Sequence, residues 1–136
     1  MENLGKEKVK ISREAWTKEL EKVILLQGED CLQYQFDVEK GIVQLYAIRT
    51  LDNRLLGVLL TRIDNGLTDK HLVLVLIQGV KNDFPFTKVA HQFLIALTKF
   101  VKAKVLRVHS MRKGTSKTLE KMGFKLTEIV YCKEVA

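Results

Sequence analysis

The fold is decided by residues 71–104, which read HLVLVLIQGVKNDFPFTKVAHQFLIALTKFVKAK. Leu72–Ile77 is an unbroken apolar run of strand length, which predicts a strand with both faces buried. Gly79–Asp83 ends that strand. Asn82 or Asp83 can cap the next helix, and Pro85 falls in its first turn, where a missing N–H costs little. The stretch therefore predicts a central strand that leads into a helix.

The predicted helix is long and amphipathic. Polar Lys88, Gln92 and Lys99 lie between apolar residues at helical spacing, which predict a buried stripe of Phe86, Val89, Ala90, Phe93, Leu94, Leu97, Phe100 and Val101. Val105–His109 follows as a predicted short strand. A strand that follows such a helix is expected to be parallel to the strand before it.

Two further strands are predicted upstream, at Ile42–Leu51 and Leu55–Ile63. Asp52-Asn53-Arg54 is the turn signal between them, and Asp64-Asn65-Gly66 is the signal before the central strand. Because short turns join antiparallel neighbours, these strands predict an antiparallel meander.

The N-terminal part is predicted to begin with a short strand at Val9–Ser12. Ser12 can cap a helix from Arg13 to about Leu26 that Gly28 closes, with a buried stripe that includes Trp16, Leu20, Val23 and Ile24. Cys31–Lys40 fits a helical turn but also alternates as a strand would. We favour a short helix or an irregular segment there.

The C-terminal part is predicted to contain a short helix from Thr115 or Ser116 to Met122, closed by Gly123. Phe124–Glu134 alternates and is predicted as a last strand. Together the elements predict an α+β (mixed α/β) fold. It has a mixed central sheet with an antiparallel meander, a long crossover helix and a short C-terminal helix.

Length and composition favour one globular domain over residues 1–136, with 46% hydrophobic and 29% charged residues. No apolar run approaches the roughly 20 residues that a membrane-spanning helix needs, so no membrane partner is expected. The N-terminus MENLGKEKVKIS lacks the apolar core of a signal peptide. Cys31 and Cys132 have no metal-ligand spacing, so we expect reduced, buried thiols and a cytoplasmic location.

The net charge of +7 is concentrated in the last 39 residues. Residues 1–97 hold 13 Lys/Arg and 13 Asp/Glu, whereas residues 98–136 hold 10 Lys/Arg and 3 Asp/Glu. This asymmetry indicates an anionic partner, which would be a phosphorylated cofactor, a nucleic acid or an acidic protein. The alternative is a solvated face that only aids solubility. Nucleic acid is not favoured, because no aromatic residue lies between Val101 and Gly123 to stack on bases.

A family resemblance begins at Leu119-Glu120-Lys121-Met122-Gly123-Phe124. This segment resembles the Tyr-x-x-x-Gly-Phe ending of the last helix in the GCN5-related N-acetyltransferases, and the order of elements over about residues 9–134 is similar to that family. The resemblance implies transfer of an acyl group from acyl-coenzyme A to the amine of a small molecule or protein. It places the coenzyme where the central strand and the Val105 strand splay apart.

The resemblance also implies a set of cofactor-binding residues. The pyrophosphate of acetyl-coenzyme A would meet N–H groups at the start of the long helix, with cations from the Arg112–Lys117 loop. The implied set is Gln78, Val80, Phe86, Thr87, Lys88, Ser110, Arg112, Ser116 and Lys117.

The sequence departs from the family's phosphate turn, Arg/Gln-x-x-Gly-x-Gly/Ala. Pro85 stands in place of Arg or Gln, Lys88 stands in place of the first Gly, and Ala90 fits. Asp83 adds a negative charge near the expected anion, which opposes binding. Leu119 replaces the Tyr that often protonates the leaving thiolate, so no catalytic residue is assigned.

Departures of this kind leave a second function open. The chain could be a catalytically silent binding or structural module of the same fold, for example a phage or mobile-element protein, that contacts an anionic partner through its basic C-terminal third. A last strand at a sheet edge can also pair between chains as a homodimer. His71, His91 and His109 are interpreted as structural or surface residues, and no metal site is expected.

Overall fold

The computed structural model describes residues 8–27, 31–66, 69–80, 84–108, 119–125 and 133–135. Within these ranges the strands are β1 (Val9–Arg13), β2 (Gln44–Thr50), β3 (Leu55–Asn65), β4 (Lys70–Gly79) and β5 (Val105–Val108). The helices are α1 (Lys18–Ile24), α2 (Leu32–Glu39) and α3 (Phe86–Phe100). A 3₁₀ turn, Leu25–Gln27, extends α1.

The strands form one sheet in the order β1-β2-β3-β4-β5. β1 to β4 are antiparallel neighbours. Short turns join β2 to β3 and β3 to β4, whereas α1 and α2 lie between β1 and β2 in the chain. β5 is parallel to β4, with His71 opposite Val105 and Leu74 opposite Val108. The predicted mixed sheet, its meander and its parallel crossover through α3 are confirmed.

Each face of the sheet supports its own hydrophobic core. On one face Leu20, Val23 and Ile24 of α1 pack with strand residues such as Leu45, Val58 and Leu60. On the other face Ala90 and Leu94 of α3 pack with Ile48, Leu59, Leu72 and Leu74. Because both faces are covered, the inner strands bury nearly continuous apolar runs instead of alternating ones.

The first helix begins later than the predicted Arg13. Ser12 and Arg13 belong to β1, where they pair with Ala47 and Tyr46. Thr17 is the cap of α1, since its Oγ1 accepts a hydrogen bond from the Leu20 N–H at 3.3 Å. The backbone pairing of β1 therefore overrides the capping signal at Ser12. The ambiguous Cys31–Lys40 segment contains α2, as favoured from its sequence.

The second predicted turn of the meander also lies later than expected. Asp64 and Asn65 are the last residues of β3 and pair with His71 and Lys70. The turn is closed at Gly66, whose N–H donates to the Asp69 carbonyl oxygen at 2.8 Å. Pairing with β4 thus extends β3 into residues whose type favours a turn.

The C-terminal end of α3 is followed by a Schellman motif. The Ala103 N–H donates to the Thr98 carbonyl at 2.9 Å, and the Lys102 N–H donates to the Lys99 carbonyl at 3.1 Å. Lys102 has a φ of +62°, in the left-handed region that glycine usually occupies. Phe100, predicted in the buried stripe of α3, is 83% exposed, whereas Thr98 is buried and Val101 is half-buried, so its ring lies on the side of the last turn that faces away from the sheet.

A second Schellman motif confirms that Gly123 closes the last helical turn. Gly123 has a φ of +92°, its N–H donates to Glu120, and the Phe124 N–H donates to Leu119, each at 3.0 Å. The predicted start of this helix at Thr115 or Ser116, His109, and most of the predicted strand Phe124–Glu134 lie outside the described residues. No helix in the described part of the chain is long and apolar enough to span a membrane.

Arg49 on β2 is a buried cation that ties three segments together. It is 8% exposed, and its Nε and Nη2 atoms each lie 2.9 Å from a Glu14 carboxylate oxygen. Nη2 also lies 2.8 Å from Glu19 Oε1, and Nη1 donates to the Asn53 carbonyl at 3.2 Å. Arg49 therefore links the chain after β1, the first turn of α1 and the β2–β3 turn.

We expect this network to make the fold sensitive to acid. Hydrogen bonds from Arg49 hold the pKa of Glu14 below its ordinary value of 4.5. Such a carboxyl group contributes stability that is complete above its unfolded pKa and is lost as pH falls through the native pKa. Urea midpoints should therefore fall more steeply for the wild type than for Glu14→Gln between about pH 5 and about pH 3. Glu120→Gln, an exposed control, should follow the wild type, and equal slopes for all three proteins would contradict the expectation.

Candidate functional site

The junction between β4 and α3 lies at one end of the sheet. β4 ends at Gly79, and the Val80 N–H still donates to the Leu56 carbonyl of β3 at 2.9 Å. Pro85 directly precedes α3, with φ −76° and ψ 67°, and provides no side-chain cap. It was predicted one position further along, in the first turn of the helix. Asn82 and Asp83, the predicted caps, lie outside the described residues.

Phe86, the first residue of α3, packs its ring against two glycines of the sheet. Its ring lies over Gly57 and Gly79, which are opposite each other in β3 and β4. A Cβ at Gly57 would overlap Cε1 and Cζ of this ring and would lie 2.8 Å from the Gln78 carbonyl oxygen. A Cβ at Gly79 would lie 3.1 Å from Phe86 Cδ2. The two glycines therefore let the helix approach the sheet closely.

Sequence reasoning missed Gly57 as part of this junction. The available signal was a glycine inside an otherwise apolar strand, which often marks a close approach of another group. What the sequence pattern alone does not provide is the identity of the group that approaches.

The first turn of α3 contains both bonded and unbonded backbone N–H groups. The Phe86 N–H donates to Phe84 at 2.8 Å, and the Val89 N–H donates to Pro85 at 3.2 Å. Among the described residues, the N–H groups of Thr87 and Lys88 have no hydrogen-bond partner. Thr87 and Lys88 are exposed, so their N–H groups and the Lys88 ammonium are positioned to attract an anion.

A β-bulge lies on β4 directly after its last described pair with β5. The described register with β5 stops at Leu74–Val108, while β4 continues to Gly79. On the β3 side, Leu74 pairs with Thr61 and Leu76 pairs with Leu60, so Val75 is the extra residue. Bulges bend a strand and increase its twist, and they are common beside active sites. The bulge therefore changes the direction of β4 just before it reaches the start of α3.

Five of the predicted cofactor residues lie together at this junction: Gln78, Val80, Phe86, Thr87 and Lys88. The Gln78 Nε2 donates to the Gly79 carbonyl at 2.9 Å. The Phe86 N–H is already engaged by Phe84, so the donors at the helix start are Thr87 and Lys88. The other four predicted residues, Ser110, Arg112, Ser116 and Lys117, lie outside the described residues.

The positions of Tyr46, His71 and His91 give none of them a catalytic role. Tyr46 packs edge-on against Phe93, with ring centroids 5.1 Å apart, inside the α3 core. His91 packs against Phe124 at 5.7 Å, which agrees with its structural interpretation. His71 lies at the opposite end of β4, at its second residue.

Solved structures with the same architecture include two named acetyltransferases. Ribosomal-protein-alanine N-acetyltransferase from Brucella melitensis biovar Abortus 2308 matches with a TM-score of 0.72 at 13% identity, over 93% of this chain and 99% of that chain. Glucosamine-6-phosphate N-acetyltransferase from Arabidopsis thaliana matches with a TM-score of 0.66 at 15% identity, over 96% of this chain and 100% of that chain. This chain has the GCN5-related N-acetyltransferase (GNAT) fold.

Another matched structure is not named as an acetyltransferase. A transcriptional regulator from Bacillus halodurans C-125 matches with a TM-score of 0.69 at 12% identity, over 93% of this chain and 100% of that chain. No protein-family model and no curated protein matches the sequence. The resemblance seen at Leu119–Phe124 and in the order of elements is thus confirmed at the level of the GNAT fold.

Proposed function

We propose that this GNAT-fold protein binds acyl-coenzyme A at the β4–α3 junction and transfers its acyl group to an amine. The observation that carries the proposal is the Val75 bulge, which directly follows the last described parallel pair, Leu74–Val108, and leads to the start of α3. In an open sheet of this kind, ligands bind beyond the carboxyl ends of parallel strands. The acetyltransferase names of the matched structures support the same reaction class.

The residues at the junction would contribute to coenzyme binding in different ways. The N–H groups of Thr87 and Lys88, which have no partner among the described residues, would hold the pyrophosphate together with the Lys88 ammonium, since charge-assisted hydrogen bonds to phosphate are strong. Phe86 would act as a positioning residue, because its packing on Gly57 and Gly79 holds that helical turn against the sheet. Ser110, Arg112, Ser116 and Lys117 stay in the proposal as residues that would border the cofactor.

In the reaction, the amine nitrogen attacks the thioester carbonyl carbon, the carbon–sulfur bond breaks, and the coenzyme leaves as a thiolate that takes up a proton. The attacking amine loses a proton in turn. Backbone groups of β4 beside the bulge would orient the acyl group, whereas the group that moves the protons is unassigned. The amine-bearing acceptor would be a small molecule or a protein, and the predicted cytoplasmic location stays a prediction.

Calorimetry with acetyl-coenzyme A tests the binding step. We expect binding weaker than about 1 μM, because Pro85 provides no N–H and Lys88 replaces a glycine of the family's phosphate turn. Lys88→Gln should weaken it about 10-fold, the loss of one charge-assisted contact. Lys99→Gln removes the same charge from the other end of α3 and should leave binding unchanged. Absence of binding by the wild-type protein, or equal effects of both variants, would contradict the proposed site.

Release of free thiol from acetyl-coenzyme A tests the transfer step. The assay should include a free amino acid, an amino sugar and a peptide with a free N-terminus as acceptors. Thiol release that depends on one acceptor and falls in Lys88→Gln would support transfer. Binding without release in any mixture would favour the catalytically silent module and would overturn the transfer step.

A further inference from the structure

The end of α3 that is remote from the proposed cofactor site carries an aromatic ring among lysines. Phe100, the last residue of α3, is 83% exposed although the helical pattern predicts it buried. Lys99, Lys102 and Lys104 surround it in the chain and are all exposed. We call these four residues the α3-end surface. An exposed aromatic ring beside exposed cations suits a ligand that is both flat and anionic, because the ring can stack while the cations contact charge.

Lysine at position 102 is less favourable for stability than glycine would be. Its φ of +62° lies at the position of a Schellman motif that glycine fills with least strain. Residues held in such conformations are concentrated at functional sites. In the described part of the chain, neither Lys99 nor Lys102 forms an ion pair, so both ammonium groups are available to a ligand.

The support beneath the α3-end surface is well fixed. The Lys70 Nζ donates to the Val101 carbonyl at 3.2 Å, and the Lys104 N–H donates to the Lys70 carbonyl at 2.9 Å. These bonds attach the turn after α3 to the first residue of β4. The acidic neighbour is Asp69, whose Oδ1 lies 3.6 Å from Lys104 Nζ. The surface therefore presents its ring and charges with little loss of backbone freedom on binding.

The α3-end surface is separate from the cofactor site. α3 has 15 residues and, at a rise of about 1.5 Å per residue, is roughly 22 Å long. Thr87 and Lys88 lie at its start, and Phe100 lies at its end. A pyrophosphate held at the start would not use Lys99, Lys102 or Lys104.

We propose that the α3-end surface binds single-stranded nucleic acid. The Phe100 ring would stack on an unpaired base, and the three lysines would contact the flanking phosphates without sequence choice. A duplex is disfavoured because its base faces are already stacked, so the ring would find no partner. The segment after α3 lacks aromatic residues, and this argued against nucleic acid from sequence. Phe100 lies just before that segment, and its exposure supplies the missing stacking group.

Fluorescence anisotropy with a labelled oligothymidine of about 12 nucleotides tests the proposal, with weak binding of about 10–100 μM expected at physiological salt. Phe100→Ala should weaken binding about 10-fold, in the range of one lost base–aromatic stack. Phe36→Ala is the matched control, because Phe36 is 51% exposed on α2 with the Lys40 ammonium 5.7 Å from its ring centroid. The control should bind like the wild type. Equal binding by the wild type and Phe100→Ala would overturn the proposal.

The charge contribution is tested by changing Lys99, Lys102 and Lys104 to Gln together. The slope of log affinity against log salt should decrease in size by about 2, because each phosphate contact on a single strand contributes about 0.7. Changing Lys10, Lys18 and Lys22 to Gln removes the same charge from exposed positions elsewhere and should leave the slope unchanged. Equal slopes in both triple variants would overturn the assignment of the phosphate contacts.

Lys102→Gly separates function from stability. Glycine relieves the left-handed backbone, so Tm should rise by about 3 °C, while oligothymidine binding weakens. Acetyl-coenzyme A should not compete with the oligonucleotide, and Lys88→Gln should not affect it. If Phe100→Ala instead abolishes binding to phosphatidylserine vesicles and leaves oligothymidine binding intact, the surface contacts membranes and the proposal is wrong.

Discussion

Arg49→Met is expected to lower the free energy of unfolding by about 2 kcal/mol, between the values for exposed and fully buried ion pairs, because the Glu14 and Glu19 side chains are 23% and 55% exposed. The change leaves the Glu14 and Glu19 carboxylates without the guanidinium that both of them contact. Methionine keeps much of the apolar stem, so the loss reports mainly on charge and hydrogen bonding. Urea unfolding followed by circular dichroism measures it.

Arg62→Met is the matched control for that experiment. Arg62 Nε lies 2.7 Å from Asp64 Oδ1, but both side chains are about one third exposed, at 34% and 36%. Ion pairs in contact with solvent contribute about 0–1 kcal/mol, so the control should lose no more than that. Similar losses of unfolding free energy in the two variants would show that burial does not strengthen the Arg49 network.

Gly57→Ala is expected to destabilise the protein by about 2–3 kcal/mol, the range for forcing an extra methyl group into a packed core. The new Cβ would overlap the Phe86 ring and approach the Gln78 carbonyl oxygen to 2.8 Å. The ring can move away, but the backbone oxygen cannot move without disturbing the pairing of β3 with β4. Because Phe86 holds the start of α3, binding of acetyl-coenzyme A should also weaken.

Two further variants test that explanation. Gly79→Ala approaches the same ring only to 3.1 Å, so it should cost clearly less than Gly57→Ala. In a Phe86→Ala background, Gly57→Ala should cost less than in the wild type, because the ring that it meets is gone. Additive effects of the two substitutions would contradict a direct contact between residues 57 and 86.

The sequence by itself determined the order of the elements and the pairing of β2 with β3, β3 with β4 and β4 with β5. The apolar run at residues 72–77, the turn at Asp52–Arg54 and the helical period from Phe86 are local patterns, and local patterns set secondary structure. The hand of crossover connections then made β5 parallel to β4. The element order also indicated the GNAT fold, and the departures at Pro85 and Lys88 from its phosphate turn were visible in the sequence.

Only the tertiary structure decided which side chains meet. The late start of α1 depends on the pairing of Ser12 and Arg13 with β2. The contact of Phe86 with Gly57 and the network of Arg49 with Glu14 join residues about 30 positions apart, a separation at which periodicity carries no information. Phe100 fits the apolar stripe of α3, yet it is exposed, because the side of the last turn that is covered carries Thr98 and Val101 instead. Burial is a property of the whole packed sheet, so no single helix pattern can give it.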